Sequence, residues 1–255
     1  MQHYFLPHDW QQTTEFQLDA ATYKHFVQVL RATEGTEAEF VTPLHELLIA
    51  QLVKLDSDHR SAMMHVERKQ TVDVELPVHA RIICGVPKGD KAELITQKAT
   101  ELGVREIVFV PTQWSVASWK QKAAKKLSRL QVIATNAAQQ SHRLVIPQLK
   151  YASSLKEAAA MPADFNLVAW EESAKKQETG HLVQTFEKIR IGQTINVIFG
   201  PEGGLTVKEV DDLTANGYVA AGLGPRILRT ETAPLYFLSA LSYAVELQKD
   251  SENVN

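Results

Sequence analysis

The feature that most constrains this chain is a change of rhythm near residue 78. Before it, short apolar alternations dominate: HYFL at 3–6, EFQL at 15–18, AEFV at 38–41, LLIAQLVKL at 47–55, SAMMHVE at 61–67 and TVDVEL at 71–76. Alternation with β-branched or aromatic content predicts strands. One segment, ATYKHFVQVL at 21–30, instead places Tyr23, Phe26, Val27 and Leu30 on one helical side. After residue 78, strands alternate with helices. HARIICGV at 79–86, REIVFVP at 105–111, FNLVAWE at 165–171 and TINVIFG at 194–200 are the strands. KAELITQKATELG at 91–103, residues 119–140, TVKEVDDLTANG at 206–217 and TETAPLYFLSALSYAVELQ at 230–248 are the helices. Gly103 and Gly217 are placed to end helices, and Pro234 fits a first turn. Strands separated by helices require a mainly parallel sheet covered on both faces. The expected fold class is therefore α/β, preceded by a small barrel or β-rich domain. The boundary falls at about 72–79, dividing the chain into 1–74 and 75–250. The polar tail KDSENVN is expected to fray.

Composition closes off several alternatives. Hydrophobic residues make up 44% and charged residues 22%, too apolar for a mainly disordered chain. No stretch approaches ~18 apolar residues without a charge. The opening MQHYFLPHDWQQ lacks the basic region and apolar run of a secretory signal. The single cysteine, Cys84, excludes an internal disulfide and a thiolate zinc cluster and suits a reducing compartment. A cytoplasmic location follows by elimination. Cys84 lies in an apolar strand and reads as core. The nine histidines show no His-Glu-x-x-His and no tight His/Cys spacing, so no metal site is expected.

The net charge of −3 is unevenly spread. Residues 1–75 carry −6, residues 76–150 carry +8 and residues 151–255 carry −5. Local positive potential attracts a polyanion more than total charge does. Lys120, Lys122, Lys125, Lys126 and Arg129 form either an electrostatic footprint for nucleic acid or a solvated helix face. Trp114 and Trp119 flank this segment, as base-stacking or as packing aromatics.

Two loops carry the chemistry. Gly200–Pro201–Glu202–Gly203–Gly204 follows an apolar strand and precedes a helix. Ligands in parallel sheets bind outside the carboxyl ends of strands, and glycines there permit close backbone approach. The loop is neither a Gly-x-Gly-x-x-Gly fingerprint nor a Gly-Lys-Ser/Thr phosphate loop. The second loop, AGLGPRILRTETA at 221–233, leads into the last helix. Thr230 and Glu231 fit ordinary helix capping. Arg229 does not, because a cation beside a helix N-terminus is mildly unfavourable. An anionic partner is expected for it. His25, beside the apolar stripe of its helix, reads as structural ahead of chemical.

GPEGGLTVKEV at 200–210 and LGPRILRTETA at 223–233 resemble signatures of the bacterial ribosomal RNA (uracil-N3)-methyltransferase family, within the trefoil-knotted methyltransferases. QKATELGV at 97–104, QQSHR at 139–143 with VIP at 145–147, and HFVQVLR at 25–31 are similar to further family segments. The resemblance spans nearly the whole chain. It implies a PUA-like β-barrel at 1–74 for RNA recognition and an α/β trefoil-knot domain at 75–250 for cofactor binding, catalysis and dimerisation. It also implies S-adenosylmethionine as cofactor, N3 of a uridine in 16S rRNA as target, and a homodimer. Departures from the family pattern occur at His3, Thr36, Trp114, Asn136, Gln139 and His142.

Carried onto this sequence, the resemblance implies a cofactor site of Gly200, Pro201, Glu202, Gly203, Gly204, Leu223, Gly224, Ile227, Leu228 and Thr232. It places Arg229, Glu231 and Thr232 where cofactor and uridine meet, and Arg229, Glu231 and Glu202 are the catalytic candidates. RNA contacts are expected from Arg31, Lys122, Lys125, Lys126, Arg129 and Arg143. Uridine N3 must lose a proton before it can attack a methyl group. A cation near O2 or O4 stabilises the resulting anion, and Arg229 is the first candidate. Glu202 or Glu231 either accepts the proton or serves the loop backbone and the helix start. Two alternative classes are a knotted methyltransferase for another rRNA or tRNA nucleotide and a non-enzymatic RNA-binding assembly factor.

Overall fold

A computed structural model describes residues 1–170 and 180–248 and divides into two compact units. The first unit contains Met1–Glu75 and Ala138–Val145. Its five strands are β1 (His3–Phe5), β2 (Glu15–Gln17), β3 (Glu37–Val41), β4 (Leu47–Asp56) and β5 (Ser61–Gln70). They order as β1-β3-β4-β5-β2, and only the β1–β3 pair is parallel. Two irregularities in register bend the long β4–β5 hairpin, as bulges do. In its core Tyr4 stacks on Phe40, while Phe26 meets Tyr4 and Phe16 meets Phe40 edge to face.

Two expectations for this unit need correction. Residues 71–76 form no strand, although TVDVEL alternates. The ladder closes at the Leu47–Gln70 pair, and Glu75 turns its carboxylate onto Arg143 and the backbone N–H groups of Leu144 and Val145. The segment 21–30 is helical, but only Ala20–Tyr23 (α1) winds as an α-helix, and Lys24–Val29 continues with wider π turns. The wider winding leaves Leu30 exposed while Tyr23 and Phe26 stay buried.

The second unit contains Leu76–Ala137 and residues from Ile146 onward. Its strands are β6 (His79–Gly85), β7 (Glu106–Val110), β8 (Gln148–Tyr151), β9 (Phe165–Ala169), β10 (Thr194–Phe199) and β11 (Val219–Ala221). All pairs are parallel, in the order β11-β9-β10-β6-β7-β8. The helices are α2 (Lys91–Glu101), α3 (Ala123–Gln140, whose last three residues belong to the first unit), α4 (Leu155–Ala159), α5 (Gly180–Lys188), α6 (Val207–Ala215) and α7 (Thr232–Ser242). One apolar cluster gathers Ile82, Cys84, Ile107, Phe109, Val197 and Phe199 with α2 and α7, and another gathers Ile83, Val108, Val168 and Ile198 with α6. A sheet with alternate side chains in two separate clusters is covered on both faces, which is why its strands read as unbroken apolar runs. Cys84 is core, and burial pushes its thiol pKa up. Glu171 and the tail 249–255 lie outside the described residues. No helix among the described residues is long and apolar enough to cross a membrane.

Candidate active site

The carboxyl ends of four strands frame one cavity of about 450 Å³. β9 contributes Ala169 and Trp170, β10 leads into Phe199–Leu205, and the loop after β11 contributes Leu223 and Arg226–Thr230. Lys91, the first residue of α2, reaches it from the loop after β6. The position obeys the rule for open parallel sheets.

Local sequence explains how the first loop is held. α6 opens with a capping box: Thr206 accepts from the Glu209 N–H, and Glu209 accepts from the Thr206 N–H. Glu209 also accepts the Gln113 N–H at 2.8 Å. Backbone packs on backbone here. A Cβ at Gly200 would lie 2.7 Å from the Gly204 carbonyl carbon, and one at Gly85 would lie 2.5 Å from Pro201 Cδ. Neither position admits a side chain. Gly203 sits against Trp114, whose Cβ is 3.0 Å from the place a Gly203 Cβ would take. The Thr230 hydroxyl donates to the Gly200 carbonyl at 2.9 Å and fastens the second loop to the first.

Two carboxylates meet at Lys91. Its Nζ lies 3.0 Å from Glu202 Oε1 and 3.2 Å from Glu231 Oε2. Glu202 also accepts the Lys88 N–H at 3.0 Å. Burial raises the Glu202 pKa, but the Lys91 ammonium and backbone N–H groups outweigh it and leave the group below the ordinary 4.5. Contact with Glu202 in turn raises Lys91. The close approach of Glu231 is off-angle, so its buried Oε2 lacks a well-formed hydrogen bond.

These contacts sort the expected residues. Gly200, Pro201, Glu202, Gly203, Gly204, Leu223, Ile227, Leu228 and Arg229 all line the cavity. Gly224, Glu231 and Thr232 do not. Glu202 lines the cavity and is tied to the loop through the Lys88 N–H and Lys91. Thr230 is not the cap of α7. Glu231 occupies that position without a side-chain cap bond, because its carboxylate faces Lys91. Arg226 and Arg229 are exposed at the cavity, and neither has an ion-pair partner among the described residues. The anion expected for Arg229 is therefore not a structural carboxylate of the described chain.

The basic residues also separate. Lys122, Lys125 and Lys126 are exposed and without ion-pair partners among the described residues. Arg129 bonds Glu93 at 2.9 Å. Arg31 is exposed in a left-handed backbone conformation. Arg143 corrects the expectation of an RNA contact: it is 2% exposed, and its guanidinium is paired with Glu75. Trp119 is core, packed on Phe109 and Tyr151, whereas Trp114 remains half exposed. His25 is exposed and bonds the Tyr4 hydroxyl through Nδ1. Lys91, Arg226 and Trp170 were not anticipated as site residues. For Lys91 the available signal was its place just after the turn that follows an apolar strand.

The stretch that carries this cavity matches the family model of an RNA methyltransferase domain over residues 74–242. The chain is 38% identical to ribosomal RNA small subunit methyltransferase E of Bacillus subtilis, over 99% of this chain and 100% of that one. It is also similar to the solved ribosomal RNA small subunit methyltransferase E from Neisseria gonorrhoeae bound to S-adenosyl methionine, with 28% identity, TM-score 0.81, and 95% and 97% of the two chains covered. A crystal structure described as a hypothetical protein shares 35% identity and a TM-score of 0.86 over 96% and 99% of the chains. The chain belongs to the ribosomal RNA small subunit methyltransferase E family.

Proposed function

We propose that this protein uses S-adenosylmethionine to methylate N3 of a specific uridine in 16S rRNA of the small ribosomal subunit. The single observation that carries the assignment is the cavity in which two fastened loops present backbone and apolar walls beside arginines that have no ion-pair partner among the described residues. Its volume lies within the roughly 300–1,000 Å³ of small-molecule sites. Leu205, Leu223, Ile227 and Leu228 offer apolar surface, and the loops have no room for a Cβ at Gly200. These residues fit an adenosyl group held by backbone and apolar contact. When bound, S-adenosylmethionine supplies a methyl group on a sulfonium centre.

The chain's own residues then have three tasks. The loops fix the direction from which the methyl is presented, so that N3 attacks in line. Arg229, with Arg226 beside it in the cavity wall, faces O2 or O4 and holds the uridine anion formed as the N3 proton leaves to solvent. Lys91 neutralises Glu202 and Glu231, which keeps two carboxylates from repelling that anion. Presentation of the base requires it to leave its stack or to come from a loop.

The remaining assignments extend this reading. The first unit is a PUA-like β-barrel for RNA recognition, with Arg31 as a contact. The second is an α/β trefoil knot. Lys122, Lys125 and Lys126 meet RNA phosphates. Tyr236, Tyr243 and Leu247, exposed along the last helical segment, serve a homodimer. The enzyme works in the cytoplasm. The test is methylation of small subunits lacking the modification, followed by nucleoside analysis and mapping of the product. N3-methyluridine at one 16S position is expected. A methyl group on another base, or none, overturns the assignment. Sedimentation at twice the chain mass is expected, and a monomer at micromolar concentration removes the dimer.

A further inference from the structure

Outside the cavity, one cluster in the first unit has no part in methyl transfer. Glu39 Oε2 lies 2.8 Å from His3 Nδ1 and 2.6 Å from His142 Nδ1. The three donor atoms all lie within 4.8 Å of one another. The partners of Glu39 are 36 and 103 residues away in sequence, so no spacing motif announces them.

The buried histidine is the informative one. His3 is 4% exposed, and its Nε2 lies 2.8 Å from the Arg143 carbonyl. A carbonyl only accepts, so Nε2 carries the hydrogen. In the neutral imidazole Nδ1 then presents a lone pair toward a carboxylate oxygen. Two lone pairs at 2.8 Å repel unless a cation lies between them or the ring is protonated. A ring that donates one nitrogen to a backbone carbonyl and offers the other to a carboxylate-lined point has the orientation of a metal-ligating histidine.

We infer that His3 Nδ1, His142 Nδ1 and Glu39 form a site for a borderline divalent transition metal of the zinc class. Two imidazoles and one carboxylate suit zinc and disfavour magnesium or calcium. Zinc–ligand bonds of about 2.0–2.2 Å place tetrahedral donors about 3.4 Å apart. The two Glu39–His distances of 2.8 and 2.6 Å open by less than 1 Å to reach that spacing, and rotation of the half-exposed His142 ring sets its Nδ1 against that of His3. Its exposure also leaves the fourth position to water. The bound ion would tie β1 and β3 to the segment Ala138–Val145, a structural cross-link within the first unit.

The test is calorimetric titration of chelator-treated, full-length protein with zinc chloride alone. One zinc per chain is expected, with a raised thermal midpoint. His142→Gly is the variant of choice: residue 142 has φ +55°, where glycine is at ease, so the fold is retained without metal. Zinc affinity should fall at least about tenfold, as when metal-site partners are removed, and the zinc-dependent rise in midpoint should vanish. Glu39→Gln, which keeps the side-chain shape, should give the same losses. Absence of one-to-one binding by the wild type, or wild-type affinity in both variants, overturns the site and leaves a protonated His3 paired with Glu39.

Discussion

The two loops of the cavity are built on opposite plans. Residues 200–206 are held at almost every point: Glu202 by Lys88 and Lys91, Thr206 by Glu209, Gly200 by its backbone neighbours. Residues 222–231 are fastened mainly through Thr230 and leave Arg226, Ile227 and Arg229 exposed. Ile227, at 69% exposure, is a large apolar side chain turned outward at the cavity. Rigid support and unsatisfied groups have thus been divided between adjacent segments. A site needs both, because preorganisation lowers the reorganisation required at the moment of reaction, while charges already paired within the protein have little left for a ligand. Substitutions in the first loop should therefore damage stability and cofactor binding together. Those in the second should damage chemistry and leave the fold intact.

The largest expected effect tests the second half of that contrast. Arg229→Ala should fold normally and bind cofactor, yet slow single-turnover methylation by ~10²–10³-fold, as for a removed oxyanion donor. The pH midpoint of the rate should move upward, because the uridine holds its proton more tightly without the guanidinium. A wild-type rate and midpoint with both ligands saturating would remove Arg229 from the chemistry. Gly200→Val tests the other half. A branched side chain forced onto the Gly204 backbone should cost about 1–3 kcal/mol of stability, as overpacking does, and cofactor binding should fall with it. Thermal denaturation and calorimetry measure the two. Loss of binding at unchanged stability would mean that the first loop is no more rigid than the second.

This division was only half legible in the sequence. The glycines announced the first loop because few residues tolerate such backbone approach, and a cation at a helix start singled out Arg229. Strong periodicity likewise announced β6, α2, β7, β10 and α6. The elements it missed are β8 with four residues, β11 with three, α4 with five, and α5. The first three span no more than two periods of their own repeat and carry too little pattern to read. The alternation at 71–76 misled for the converse reason: a pattern of two becomes a strand only where a ladder partner is free. Lys91 has only its place after an apolar strand to mark it, and a lysine after Gly-Asp is ordinary surface chemistry until the fold brings Glu202 and Glu231 to it. Arg143 and the His3–Glu39–His142 cluster depend on residues 36 to 103 positions apart coming together, which one-dimensional spacing does not record.

A smaller effect measures how far the support of the first loop extends. Thr206→Ala removes the hydroxyl that caps α6 and should cost about 1 kcal/mol. Glu209 keeps its bond from Gln113 and can hold part of the geometry, so cofactor affinity should fall by less than in Gly200→Val. Chemical denaturation of the two variants side by side supplies the ranking. Equal losses of affinity would place the rigidity in the cap and not in the backbone contact.

The smallest effect is the contribution of the Glu202–Lys91 pair to stability, and its sign can be worked out. The folded-state pKa of Glu202 lies below 4.5. A group depressed on folding stabilises the protein above its unfolded value and loses that contribution as pH falls through the folded value. Lys91 lies above 10.5, chiefly through its contact with Glu202. Its contribution is present below 10.5 and is lost as pH rises through the folded value. The stability difference between wild type and Glu202→Gln should therefore be flat from about pH 5 to 10 and shrink beyond either end. Both groups are partly solvated, so the plateau should be no more than the ~0.2–1 kcal/mol of an exposed pair, and it should decrease with added salt. Denaturation midpoints of the two proteins across that pH range make the measurement. A difference that keeps growing below pH 4 would mean that Glu202 is protonated in the folded state. The carboxylate anchoring Lys88 and Lys91 would then be absent, and the first loop would need another source of its rigidity.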